Sequence, residues 1–328
     1  MSRMLSAGLA LLALSSVAPA AQPRCTMSEA ERAWVESALQ AWQQVATGRL
    51  KLKPHREPII VLFDARCRFE KVDGRSAWKS EPHNGSIRIP GGAEVPAQVT
   101  SFASSDSKSA TPYFVMALPS VWQAAKVPIS ADLKGLTGVF LHEFSHTRQL
   151  EPLKPVFEAA EAKRKMDEDF NDDSLQGRFE SDPAYVAVVE KEIALLFQAA
   201  AAADDAASRK LAAEALALME ARQKRWFVGE DSYWKNYDDL FLTMEGFGQW
   251  VAYAWLADPK GGKLEPAEAL EKMRGRRRWW TQDQGLALFL VVDRLVPNWA
   301  EQAFDTPPKL GIDLLRVAVA DAPARAGR

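Results

Sequence analysis

Hydrophobic positions fall into two regimes along the chain. Before Pro119 they run together or alternate in short stretches bounded by turn residues; beyond it they recur at helical spacing. Ser28-Glu29-Ala30-Glu31 has the spacing of a helix-capping box, and Trp34, Val35, Leu39, Trp42 and Val45 continue an amphipathic pattern until residues 50–58 break it. Residues 58–63 read as a buried strand ending at Asp64. Ile87 and Ile89 flank Arg88 in a short alternating strand stopped by Pro90-Gly91-Gly92. Residues 99–109 are serine-rich without periodicity and predict a loop, and residues 113–118 predict a third strand closed by Pro119.

The second regime opens with a helix over about 132–149, its apolar face marked by Leu133, Leu136, Phe140 and Phe144 and its end set by Pro152. Residues 158–173 are strongly charged. Two alanine-rich helices over 182–203 and 206–227 have few aromatics, which predicts a hairpin standing off the core. Helices over 238–257 and 285–295 follow, and the tail from Asp321 is expected to fray. No repeat occurs at a solenoid period. The fold class predicted is α+β, with a small mixed sheet on one helix and a mostly helical C-terminal half. The division predicted is 1–20, 21–151 with the sheet and the first long helix, 152–230 as a helical insertion, and 231–328.

The first segment is set apart by its own pattern. Arg3, an apolar run over 5–17 and the small residues Ala18-Pro19-Ala20 form a secretory signal peptide, too short to span a bilayer. The rest is expected to be exported, to the periplasm or the medium, with no membrane span. In such a compartment Cys25 and Cys67 could pair, or remain two free thiols. Charged residues at 26%, hydrophobic ones at 47% and a net charge of −2 describe a globular protein without the basic footprint of a nucleic-acid binder.

One motif carries chemistry. His142-Glu143-Phe144-Ser145-His146 is H-E-x-x-H, and it holds half of the chain's four histidines. Residues four apart on a helix share a face, so both imidazoles can meet one zinc ion, with Glu143 beside them as general base. Both histidines lie off the Leu136–Phe140–Phe144 stripe, which leaves one face for the core and one for a ligand. A metal-free helix with two hydrogen-bonded histidines, and a zinc site without catalysis, are the blander readings of the same residues.

A catalytic zinc takes three protein ligands. The metzincin continuation is absent, since neither a glycine three residues after His146 nor a histidine six residues after it is present. His55 and His83 lie upstream near predicted loops. Among the acids, Glu158, Glu161 and Glu180 sit among other charges. Glu245 lies in the most apolar setting, where a carboxylate must be paired or bound to a metal. Gly246 and Gly248 beside it would let its helix approach the His142 helix. Glu245 is therefore the expected third ligand.

These residues resemble a gluzincin, a thermolysin-type zinc metallopeptidase with an H-E-x-x-H helix and a glutamate ligand on a later helix. Glu245-Gly246-Phe247 is also similar to the third-ligand context of aminopeptidase-type gluzincins. The resemblance implies a zincin-like domain, a peptide or protein substrate, His142, His146 and Glu245 as metal ligands, Glu143 as the base, and residues 113–118 as the sheet edge that pairs with extended substrate. Two features depart from it. The spacing from His146 to Glu245 is far longer than usual, and Gln249 stands where an aspartate commonly orients the first histidine. Tyr233, Tyr237 and Tyr253 are near enough in sequence to supply an oxyanion donor or merely to pack. Arg274-Gly275-Arg276-Arg277-Arg278-Trp279-Trp280 could recognise an anion or form a solvated charged run. A zinc hydrolase of a cell-wall amide, and a non-catalytic zinc module, are the alternatives to a peptidase.

Overall fold

A computed structural model describes residues 25–74, 76–106, 109–163, 170–274 and 278–320. The predicted leader, the fraying tail and the middle of the 274–280 basic run lie outside the described residues. The chain is α+β. Among the described residues seven strands, β1 (Ile59–Phe63), β2 (Cys67–Lys71), β3 (Lys79–Pro82), β4 (Ser86–Arg88), β5 (Glu94–Pro96), β6 (Ser101–Ser105) and β7 (Pro112–Ala117), come before all but one of the α-helices. Helix α1 (Glu29–Gln43) precedes them. Then come α2 (Pro119–Ala124), α3 (Leu133–Glu161), α4 (Ser174–Phe179), α5 (Pro183–Ala200), α6 (Asp205–Trp226), α7 (Trp234–Leu256), α8 (Pro266–Met273), α9 (Trp280–Leu295), α10 (Trp299–Ala303) and α11 (Gly311–Ala320).

The main sheet has the order β3-β2-β1-β7-β6. β1 and β7 pair in parallel at its centre, from Ile59 opposite Tyr113 to Phe63 opposite Ala117, and the other pairs are antiparallel. The central position explains why β7 is buried at every residue, because such a strand is covered on both faces. A separate hairpin joins β4 to β5.

Two expectations about this half change. Residues 99–109 are not all loop, since Ser101–Ser105 form β6, and serine on a half-exposed edge strand carries no hydrophobic alternation to read. Residues 113–118 are not an edge: β7 lies between β1 and β6, and the edge on that side is β6. Strands β2 and β3 carry no long hydrophobic alternation to read, since every residue of β3 is exposed and Arg68 of β2 is bonded to Glu70 and Glu81. Cys25 and Cys67 form a disulfide that ties the segment before α1 to the start of β2.

Helix α3 does not stop at Pro152; it runs on to Glu161 with Pro152 and Pro155 inside it. Each proline withholds one N–H from the helix ladder. Leu153 between them and Ala160 beyond are buried in a second apolar cluster with Phe179 and Tyr185, and that burial holds the extra turns in place. Asp132 caps the start of α3, accepting from the Gly135 N–H at 2.6 Å.

The α5–α6 pair does not stand off the core. Leu196, Ala199, Ala212, Ala215 and Met219 are buried within the main core, where α5 packs on α9 and α6 on α11. Alanine faces pack helices closely without aromatics, which is what the composition concealed. A buried polar network crosses this region. Arg222 donates to Glu192 at 3.0 Å, to Asp238 at 3.1 Å and to the Tyr185 hydroxyl at 2.8 Å, joining α5, α6 and α7. Gln284 of α9 adds a bond to Glu192 at 2.8 Å.

The architecture places α3 between two layers. On one side Phe140 and Phe144 meet Phe114 of β7 at ring separations of 4.9 and 5.3 Å, and Trp34 and Trp42 of α1 close over the same two rings. On the other side α3 packs along α7, which packs in turn on α9. The histidine face of α3 therefore looks into the helical half.

Candidate metal centre

His142 and His146, one turn apart on α3, turn their rings toward Glu245 of α7. The His142 Nε2 lies 3.2 Å from the His146 Nε2 and 3.1 Å from Glu245 Oε2, while His146 Nε2 is 3.5 Å from Glu245 Oε1. The three side chains are only 7, 6 and 10% exposed. They are close enough to bind a metal ion, and no fourth His, Cys, Asp or Glu joins the group among the described residues.

The donor set fits a metal. Two imidazole nitrogens and a carboxylate facing one another within a buried space place lone pair against lone pair unless a proton or a cation lies between them. Separations of 3.1 to 3.5 Å match the face of a tetrahedron whose bonds are about 2.0–2.1 Å. The proton-bound state shows the same attraction for positive charge. Burial opposes charge on His142, but the Glu245 carboxylate outweighs it and raises the pKa to about 9. Burial likewise works to raise Glu245, and the two histidines with Gln282 bring it down instead, to about 2. His146 is lowered by burial and by the charge on His142.

Glycine makes this closeness possible, although not wholly as the sequence suggests. A Cβ on Gly248 would come within 2.8 Å of the His142 Nδ1, so this glycine lets α7 reach the ring. Gly246 faces the other way: its Cβ would meet the Gly285 backbone at 2.6 Å, so it admits α9 rather than α3.

His146 and Glu245 are held from behind by amides. His146 Nδ1 donates to Gln149 Oε1 at 2.8 Å, and Gln149 Nε2 donates to the Thr243 carbonyl at 3.3 Å. Glu245 Oε2 accepts from Gln282 Nε2 of α9 at 3.3 Å. Gln249 does not take up the first histidine, as its place in the resemblance suggests; it donates to Gln282 Oε1 at 2.9 Å. Its own Oε1 and the His142 Nδ1 are both buried without a partner among the described residues.

Glu143 is next to the triad and raised to about 8, by burial first and by repulsion from Glu245 and Asp172, against the pull of His142. Asp172 and Asp173 are two acids that sequence reading missed. Thr281 Oγ1 donates to the Asp172 carbonyl at 3.0 Å, and the Trp280 N–H donates to Gln176 Oε1 at 3.0 Å, so Asp172 and the start of α4 are fastened to the first turn of α9 beside Gln282. Burial and Glu245 raise Asp172 to about 7 and Asp173 to about 6.

The remaining candidates sit elsewhere. His55 pairs with Glu151 at 2.7 Å and His83 bonds the Asp64 carbonyl at 2.9 Å. Glu158, Glu161 and Glu180 are exposed. Tyr233 and Tyr237 belong to an aromatic cluster with Phe170 and Trp234, and Tyr253 faces Arg49 and Asp293. Arg274 is neither solvated nor free for an anion, since it makes two bonds to Asp283 at 2.7 and 2.8 Å and covers the Phe197 ring. Of the missed residues, Gln149 was legible, three positions after His146 on one helix; Gln282 and Asp172 come from distant segments with no local mark. Compared with protein-family models, curated proteins and solved structures, the chain matches none of them.

Proposed function

We propose that the chain is an exported zinc-dependent hydrolase with a zincin-like catalytic domain, and that it cleaves peptide bonds. The observation that carries this reading is the convergence of His142, His146 and Glu245 on one point, with Glu143 adjacent. Two neutral imidazoles and one carboxylate are a donor set suited to zinc, and they leave a fourth position open. When bound there, the ion would supply Lewis acidity and lower the pKa of a water at that position.

The chain's own residues do the rest. Glu143 takes a proton from the attacking water and passes it to the leaving nitrogen. Burial holds its carboxyl protonated at neutral pH, and the positive charge of an ion at the site would lower it into the range in which it can accept that proton. The peptide assignment comes from the resemblance to thermolysin-type enzymes, in which an edge strand pairs with extended substrate; here that edge is β6, packed against α3. The Cys25–Cys67 disulfide supports export, because such bonds persist in oxidising compartments.

The test is zinc content by plasma mass spectrometry on the purified parent and on His146→Ala, followed by a screen of peptides and cell-wall fragments. About one zinc per chain in the parent and little in the variant is expected, with turnover of peptides. No zinc in either, even after reconstitution, would remove the proposal; turnover of cell-wall amides alone would reassign the substrate.

A further inference from the structure

Gln282 and Gln249 come from two helices and meet at the back of Glu245. A carboxylate has only lone pairs to offer, so the end of the Gln282 amide facing Glu245 Oε2 at 3.3 Å must be its N–H. The Gln282 carbonyl then points to Gln249 and can only accept. Gln249 must therefore present its own N–H, at 2.9 Å. The direction of both amides follows from the acceptor at the end of the chain of bonds, and it leaves Gln249 Oε1 buried without a partner among the described residues.

The backbone fixes the same arrangement. Gly246 follows Glu245 directly and lies against Gly285, close enough that a Cβ on either would fall 2.6 Å from the other's backbone. Gln282 is three residues before Gly285, on the same side of α9. The crossing of α7 and α9 thus sets how far Gln282 stands from Glu245. Gln249, one turn after Glu245, closes the set from the same face of α7.

We propose that Gln249 and Gln282 are positioning residues: an amide relay that holds the Glu245 carboxylate in the orientation an ion needs. The relay rests on the metal reading given above. Because both members are neutral donors, the carboxylate is fixed without a second negative charge behind it.

The experiment measures the zinc Kd by chelator competition for the full chain and for Gln282→Met, Gln282→Asn, Gln249→Met and the double variant Gln249→Met/Gln282→Met, alongside the melting temperature of each metal-free protein. Removing a partner behind a metal ligand weakens affinity about 10–100-fold. Both Gln282 variants are expected to show a loss in that range, and Gln249→Met a smaller one. The double variant should be no weaker than Gln282→Met, since Gln249 acts only through Gln282. Metal-free melting temperatures should drop modestly in every variant, because each loses a buried hydrogen bond, without following the order of the Kd losses.

An unchanged Kd in both Gln282 variants of a zinc-binding parent would overturn the proposal. So would an additional loss from Gln249→Met in the Gln282→Met background, or a loss that tracks destabilisation of the metal-free fold. A parent that binds no zinc would overturn the metal reading and the relay together, which separates that failure from failure of the relay alone.

Discussion

Gln149 Oε1 accepts the Nδ1 proton of His146 at 2.8 Å, and this one bond selects the tautomer of that ring. Since the other end of the Gln149 amide donates to the Thr243 carbonyl, Oε1 is the end left for the histidine, and Nε2 of His146 is left bare for an ion. Gln149→Leu should therefore lower zinc affinity about 10–100-fold, as read by chelator competition. Retention of parental affinity would show that packing alone orients the ring.

Glu143 is adjacent to the ligands without being one of them. Glu143→Gln should keep about one zinc per chain while turnover falls at least about 100-fold, the usual worth of a positioned base. Metal content and steady-state rates on the same preparation decide it; an undiminished rate would mean that another group moves the proton.

Gly248→Ala tests the sign of an ordinary rule. Alanine in a helix interior is normally about 1 kcal/mol better than glycine, but here the new methyl carbon would sit 2.8 Å from the His142 Nδ1. The variant should lose both stability and zinc, measured by denaturant titration and metal content. A gain in stability with zinc retained would show that α7 can move away freely.

Arg222 is fully buried between the carboxylates of Glu192 and Asp238. Arg222→Met removes the cation that both acids bond and leaves both acids buried, which should cost about 3–5 kcal/mol in chemical denaturation. A cost below about 1 kcal/mol, the worth of an exposed pair, would mean that water reaches the network.

Asp132 supplies the pH-dependent case. Burial pushes its carboxyl up, but the Lys272 ammonium and the Gly135 N–H pull harder and hold it below the usual 3.8. A lowered carboxyl stabilises the fold above pH 3.8 and loses that contribution as pH falls through the folded value. Asp132→Ala should cost about 1 kcal/mol at neutral pH, as the loss of a helix cap does. The difference from the parent should shrink below pH 3.8; a difference that persists there would assign the effect to packing.

Legibility in the sequence followed the range of the interaction. His142 and His146 could be paired from spacing alone because a helix turn brings them together, and Glu245 stood out because an acid among apolar residues needs a reason to be there. The strand over 58–63 and the helix behind the capping box at Ser28 were equally local. What stayed hidden depended on partners far along the chain. Ser101–Ser105 became a strand only because β7 offered a ladder, Pro152 failed to end α3 because Leu153 and Ala160 found a second core, and Gln282 acquired its role from a helix crossing that no short window contains.

The two histidines stand on the helix that belongs with the sheet, and the glutamate stands on a helix of the other half, 103 residues from His142. An ion held by all three would be a rivet between those halves. Its grip would count toward the cohesion of the whole molecule as the logarithm of free ion concentration over Kd, about 2.7 kcal/mol at a hundredfold excess. The same ion would then serve two masters, chemistry at its open position and assembly at its closed ones. Scavenging it from the medium would loosen the seam between α3 and α7 as well as silence the site.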